Sequence, residues 1–332
     1  MPLCNLMPNA RVFGLLFVAT KSNAWGLGGT QTPPFKWSAM KFKDKLKTND
    51  FIITAELFPP KGTDISGVLE RAEIIAPFVD AVNMTDNQRA SMRVGSLAMC
   101  AKLLQKGIEP VLQIACRDKN KIALQSELLS ASVLGIDNIL IISGDHPNAG
   151  DCKDAKPVYD LDPVRLLKAA RGLEAGADLS GKPLKGSPKF CLGAVVNPQA
   201  NPDGLQVEMF NKKVEAGAEF FQTQVIFDAG AFKKFYEKLP KNGKIKVLVG
   251  VSLIHSVKFM QFLQTLPGVV IPESVQSRML GAQDPLDEGI KICAELIKSL
   301  KSFAHGVHIM AIGKEEHIPK IIEASKIQEE LN

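Results

Sequence analysis

The 332-residue chain has no Cys-x-x-Cys spacing, only two tryptophans and two tyrosines, and no H-E-x-x-H pattern among its five histidines. Its six cysteines (Cys4, Cys100, Cys116, Cys152, Cys191, Cys293) are scattered. That argues against a zinc or iron–sulfur site and a disulfide framework, and fits the reduced cysteines of a cytoplasmic enzyme. No Lys/Arg block with interleaved aromatics occurs, so nucleic acid is a poor partner. The formal charge of +5 does not change this, because Arg11, Lys21 and Lys36 supply three of those charges in a stretch without acids. The apolar run Val12–Ala19 is too short to span a bilayer, so no membrane role is expected. No G-x-G-x-x-G follows the first strand, against a Rossmann domain. "GADLSGKP" (Gly176–Pro183) nearly matches a P-loop, but Pro183 replaces the magnesium-binding hydroxyl and a helix precedes it.

What is present is a large apolar fraction, 45%, enough for a sizeable core. Residues 1–39 stand apart: both tryptophans lie there, and the run Val12–Ala19 resembles a signal-peptide core with only Arg11 before it. This segment is expected to be a disordered extension, an over-called start or a targeting segment. The catalytic domain then spans 40–332. From residue 51, eight β-branched runs are predicted as strands: Phe51–Glu56, Asp80–Asn83, Pro110–Cys116, Asn138–Gly144, Phe190–Asn197, Phe220–Phe227, Lys246–Leu253 and Gly306–Gly313. Between them run stretches such as "RVGSLAMCAKLLQKG" and "LDEGIKICAELIKSLKSF", whose apolar residues recur at i, i+3 and i+4. Parallel strands need crossover helices, and eight such units in this length predict a (β/α)8 TIM barrel of the α/β class.

In such barrels the active site gathers at the C-terminal strand ends. Here those ends carry Glu56, Asn83 with Thr85 and Asp86, Gln113, Asp145, Asn197, Gln224 and Ser252. Thr85, Asp86 or Asn197 could equally cap the next helix. Glu56 is different, because Pro59-Pro60 delay that helix and leave the carboxylate over the mouth. Beside Leu57 and Phe58 it should be partly desolvated, which favours the protonated form and suits a general acid. No second catalytic carboxylate, Ser–His pair or metal cluster is evident. One proton donor among amides and hydroxyls points to a cofactor that carries the harder chemistry. The long connection Asp145–Pro163, rich in Pro, Gly and Asp, reads as a binding loop or a long surface loop.

Together, "AELFPP", "VNMTDN", "CRDKN", "ISGDHP", "VVNP", "KKVEAGAEFFQTQVIFD" and "VIPESV" resemble, in order, the methylenetetrahydrofolate reductase family of flavin-containing barrels. The resemblance covers about residues 45–325. It implies reduction of 5,10-methylenetetrahydrofolate to 5-methyltetrahydrofolate, with Glu56 as the acid at folate N5. It further implies that Gly144 and Asp145 lie by the flavin's pyrimidine edge, that Gln224 orients the pterin with Asp145 nearby, and that Lys213 lies near the flavin phosphate. Lys213 is otherwise an ordinary solvated helix lysine. Asn83, Thr85, Gln113 and Asn197 complete the implied cofactor set, and no metal is implied. The implied cofactor is FAD, with FMN the alternative, and the protein is expected to be a cytoplasmic homo-oligomer.

Gln113 departs from the family pattern, standing where many members place a flavin-contacting histidine. Asn83 lies at or near a position often held by threonine, with Thr85 the other match. "HIMAIG" replaces an aromatic last strand and looks closer to the stand-alone anaerobe type. Electrons then come from NAD(P)H or from an electron-transfer partner subunit. Two other readings remain open: a flavin-free pterin methyltransferase barrel, and a partner-dependent subunit of a redox complex.

Overall fold

In the computed structural model, which describes residues 40–327 except 241, 242 and 244, eight parallel strands pair in chain order. They are β1 (Ile52–Leu57), β2 (Ala81–Met84), β3 (Pro110–Ala115), β4 (Asn138–Ile142), β5 (Cys191–Val196), β6 (Phe220–Val225), β7 (Lys246–Ser252) and β8 (Gly306–Met310). Pairing of β8 with β1 closes the ring, with Thr54 opposite His308. The (β/α)8 barrel expected from sequence is therefore present, and the strand ends differ from the predicted ones by at most three residues. The extension 1–39 lies outside the described residues.

The helices are α1 (Phe42–Lys45), α2 (Ser66–Ile75), α3 (Ser96–Gln105), α4 (Lys121–Val133), α5 (Pro163–Glu174), α6 (Asp203–Glu215), α7 (Ala229–Tyr236), α8 (Val257–Gln264), α9 (Glu273–Gly281), α10 (Pro285–Leu300) and α11 (Ile318–Ser325). Five begin on side-chain caps. Asn120, Asp162, Asp228, Ser256 and Asp284 each accept from backbone amides of the first turn, and proline occupies the first helical position of α5 and α10. Strands β1 and β7 are buried along their whole length because side chains on one face enter the barrel and those on the other meet the helices. Helix α9 has no counterpart in the sequence reading. It is short, starts after Pro272, and buries only Val275 and Met279, too few apolar positions to stand out as a period. With α8 it encloses a separate apolar cluster around Phe227, Ile254 and Ile271. Among the described residues no helix is long and apolar enough to cross a membrane.

The lower barrel interior is apolar. Ile52, Ala81, Val111, Leu140, Cys191, Phe220 and Leu248 form one cluster there with Phe42 and Leu46, from α1 and the residue after it. The Phe42 ring packs edge-on against Phe220, centroids 5.2 Å apart. Gly193, paired with Phe220, leaves room for that ring: a Cβ there would lie 2.2 Å from Phe220 Cζ. This packing plugs the N-terminal end and leaves the opposite end for a site.

Candidate active site

Two residues further up β1, β2, β3 and β6 the interior turns polar, at Thr54, Asn83, Gln113 and Gln222. Glu56 is 6% exposed, and its Oε2 accepts a 3.0 Å hydrogen bond from Gln113 Nε2. The His308 Nε2 lies 3.6 Å from the same oxygen, whereas no hydrogen bond among the described residues reaches Oε1. Below Glu56, Asn83 and Gln222 exchange two amide hydrogen bonds, 2.8 and 3.1 Å, and Gln222 Nε2 also donates to Thr54 Oγ1 at 3.3 Å. Thr54 Oγ1 is in turn 2.9 Å from His308 Nδ1. Each buried amide and hydroxyl of this network thus has a partner, which is the condition for keeping polar groups inside a core.

Above this floor opens a cavity of about 340 Å³. Its floor is Glu56, Gln113, Gln222 and His308; its sides include Ile142, Val195 and Met310. Strand β6 reaches it through an irregularity. Gln222 pairs with Leu248 and Val225 with Gly250, so three steps on β6 match two on β7. The Gly250 amide donates to the Thr223 hydroxyl at 2.9 Å. The bulge brings both Thr223 and Gln224 to the lining. Gln224 Oε1 accepts from the Val225 amide at 2.9 Å. Its Nε2 is 3.5 Å from the Pro267 carbonyl, which Asn197 Nδ2 also approaches, at 3.3 Å.

Two lining groups lack counterparts. Thr85 Oγ1 is buried without a hydrogen-bond partner, the residue being 1% exposed. Lys213 donates to the Val195 carbonyl at 2.7 Å, and no carboxylate among the described residues is within ion-pair distance. Burial holds its ammonium below the ordinary lysine pKa, against a smaller opposing pull from Asp162. A desolvated cation and an unpaired hydroxyl facing one cavity suit a ligand bearing an anionic group and polar ring edges.

The rim is organised by Arg117, a buried cation. It donates to both carboxylate oxygens of Asp118, to the Asn87 carbonyl and, at 3.1 Å, to the Asp145 carbonyl. Gly144 has φ +80°, and a Cβ there would lie 3.1 Å from Arg117 Cβ, so the turn requires glycine. Tyr159 Oη donates to the Gly144 carbonyl at 3.0 Å. Nearby, Asp86 Oδ2 accepts from the Ala115 amide and from Lys119. Burial alone would lower the Lys119 pKa, but Asp86 and Glu127 beside it hold it above the ordinary lysine value. Lys61 and Asp151 tie the first and fourth loops together.

The profile of the family described as "Methylenetetrahydrofolate reductase" matches residues 41–326. The chain belongs to the methylenetetrahydrofolate reductase family. It is 25% identical over 318 residues to methylenetetrahydrofolate reductase 2 of Schizosaccharomyces pombe, covering 85% of this chain and 46% of that protein. It is 24% identical over 261 residues to the 5,10-methylenetetrahydrofolate reductase of Pectobacterium carotovorum, covering 75% and 80%. The chain thus spans less than half the length of the fission-yeast relative. Among solved structures, a Clostridium thermocellum protein, described as binding two copies of 5-methyl-5,6,7,8-tetrahydrofolic acid, superposes with a TM-score of 0.62 at 17% identity, covering 87% of this chain and 99% of that one. That likeness supports the barrel fold.

Of the residues singled out from sequence, Glu56, Thr85, Gln113, Asn197, Lys213 and Gln224 share this family member's cavity. Asn83 lies beneath it with its amide engaged by Gln222. Gly144 and Asp145 stand at the rim, outside the lining, with the Asp145 side chain exposed. Ser252 donates to the Met310 carbonyl, and Asp86 serves the loop network. Sequence reasoning missed Thr54, Gln222 and His308. A signal did exist for two of them: Thr54 with Glu56, and Gln222 with Gln224, are polar pairs at i, i+2 in otherwise apolar strands, hence on one face.

Proposed function

We propose that this protein reduces 5,10-methylenetetrahydrofolate to 5-methyltetrahydrofolate with the aid of a bound flavin. The observation that carries the reading is Glu56, a buried carboxylate on the cavity floor whose Oε2 is held by Gln113 while Oε1 has no donor among the described residues. Opening the five-membered ring so that the carbon stays on N5 needs a proton on the departing nitrogen, N10 rather than the N5 first expected, and a carboxyl group screened from water is suited to deliver it. Membership in the family and the methyltetrahydrofolate bound by the Clostridium relative support a folate substrate.

The side chains fit the cofactor that the family implies. Thr85 offers an unpaired hydroxyl, Lys213 an ammonium without a carboxylate, and Asn197 an amide on the same wall. Bound flavin would supply the hydride that no side chain can. Lys213 would meet its phosphate as a point charge. Asp145 would bring negative charge to the pyrimidine edge, disfavouring extra charge on the ring and making it a stronger reductant. Gln224 would pair with the pterin's donor–acceptor edge, exchanging its weak contact with Pro267 for the ligand.

The test is to release and identify the flavin from purified protein. Methylenetetrahydrofolate reduction is then assayed in parallel with NADH, NADPH and a reduced viologen. Bound FAD or FMN and formation of 5-methyltetrahydrofolate are expected. Reduction with viologen alone would assign the electrons to a partner subunit. A folded, colourless protein that takes up neither FAD nor FMN would overturn the reading.

A further inference from the structure

His308 is buried opposite Thr54 in the β1–β8 register, and its imidazole faces the cavity floor inside the barrel. Its two nitrogens face different groups: Nδ1 is 2.9 Å from Thr54 Oγ1, and Nε2 is 3.6 Å from Glu56 Oε2. The chain behind it decides which nitrogen carries hydrogen. Gln222, which exchanges two hydrogen bonds with Asn83, donates from Nε2 to Thr54 Oγ1. The Thr54 hydroxyl then has one hydrogen to give. His308 Nδ1 at 2.9 Å is nearer than the Val307 carbonyl at 3.5 Å. With Nδ1 accepting, a neutral imidazole carries its hydrogen on Nε2, aimed at Glu56.

We propose that His308 is a positioning residue for Glu56, locked as the Nε2–H tautomer by the Asn83–Gln222–Thr54 chain so that the transferable proton is carried on Oε1. This rests on the reading of Glu56 as the acid. Gln113 and His308 both present N–H groups to Oε2, which leaves Oε1 as the oxygen able to hold a proton without losing a donor. In the transfer the Oε1–H bond breaks with its electron pair left on the carboxylate, the N10–H bond forms on the folate, and the bond from the methylene carbon to N10 breaks as the N5 lone pair closes onto that carbon. Solvent restores the proton after product leaves. At 3.6 Å the His308 contact is longer than a hydrogen bond and acts as a charge–dipole contact. It strengthens as negative charge develops on Glu56, which is the condition for lowering a barrier rather than merely binding substrate.

Two measurements on the flavin-loaded protein test this. The first is ¹⁵N spectroscopy of histidine-labelled protein, with the His308 signals assigned by their loss in His308→Asn. The Nε2–H tautomer is expected in the wild type and a mixture in Thr54→Val; an Nδ1–H tautomer in the wild type reverses the chain and overturns the proposal. The second is single-turnover transfer from reduced flavin to the folate. His308→Ala should slow it by up to roughly 10-fold, less than the loss of a hydrogen bond to a charged group because the contact is longer, with folate affinity unchanged and partial recovery in His308→Asn. Thr54→Val should slow it less. The double variant should be no slower than His308→Ala, because Thr54 acts through His308; additive losses overturn the proposal. If Glu56→Gln is slow while His308→Ala runs at wild-type speed, only the positioning role fails. If Glu56→Gln is itself fast, the acid assignment fails, and this inference with it.

Discussion

Along β1, Ile52 enters the lower barrel interior, while Thr54 and Glu56 enter the upper. Along β6 the same two steps run Phe220, Gln222 and Gln224. The lower residues join an apolar cluster sealed by Phe42. The upper ones are matched by hydrogen bonds across the barrel, from Asn83 to Gln222, Thr54 and His308, and from Gln113 to Glu56. The lower half is held by volume and area, which tolerate no voids. The upper half is held by donor–acceptor pairing, which leaves chosen atoms unpaired where a ligand is to bind. A single sheet can therefore carry a stable end and a reactive end, separated by two residues of strand.

The comparison predicts that damage to each half has a different signature. The largest effect is expected for Glu56→Gln. Transfer to the folate should fall by roughly 10²- to 10⁴-fold, the loss typical of a missing general acid, while reduction of the flavin by its donor and the unfolding midpoint stay near wild type. Stopped-flow measurement of the two half-reactions checks this; parallel slowing of both would show that Glu56 shapes the cofactor site instead. Phe42→Ala is the opposite case. Emptying the plug should cost about 3–5 kcal/mol of stability, read by denaturant unfolding, with transfer rates per folded molecule retained. A large kinetic loss without destabilisation would erase the distinction between the two ends.

Gln224→Ala should have a smaller, selective effect. Folate binding should weaken by about 1–3 kcal/mol, the cost of a ligand group left unpaired, and flavin binding by less; equal losses in two titrations would move Gln224 into the cofactor site. The smallest effect concerns His305, just below β8. Its Nδ1 accepts from the Val247 amide, and burial, aided by Lys246, holds its pKa down to about 4 from an ordinary 6.5. Between those values the unfolded chain binds a proton that the native state does not, so stability should fall as pH drops from about 6.5 to 4. His305→Asn keeps an acceptor without a titrating ring and should flatten that part of the stability–pH curve; an unchanged slope would assign the acid sensitivity elsewhere.

Much of this was readable in one dimension. The eight strands appear as short β-branched runs, and the helices between them as apolar residues recurring at i, i+3 and i+4. Glu56 is legible because Leu57, Phe58 and two prolines make a carboxylate incongruous there. Helix α9 was not legible, since Val275 and Met279 alone do not make a period. Nor was the rim's dependence on Arg117, which contacts Asn87 and Asp145 about 30 residues away on either side.

The sequence by itself determined the alternation of strands and helices, hence the parallel barrel, and the polar residues at its strand ends, because periodicity, capping and turn chemistry are local. The tertiary structure decided which of those residues meet. Closure brings Thr54 against His308, more than 250 positions later in the chain. The β6 bulge brings Thr223 as well as Gln224 to the cavity. Asn83 is turned under the floor rather than onto it. These pairings depend on ring closure and register, which no stretch of chain short enough to read by period contains.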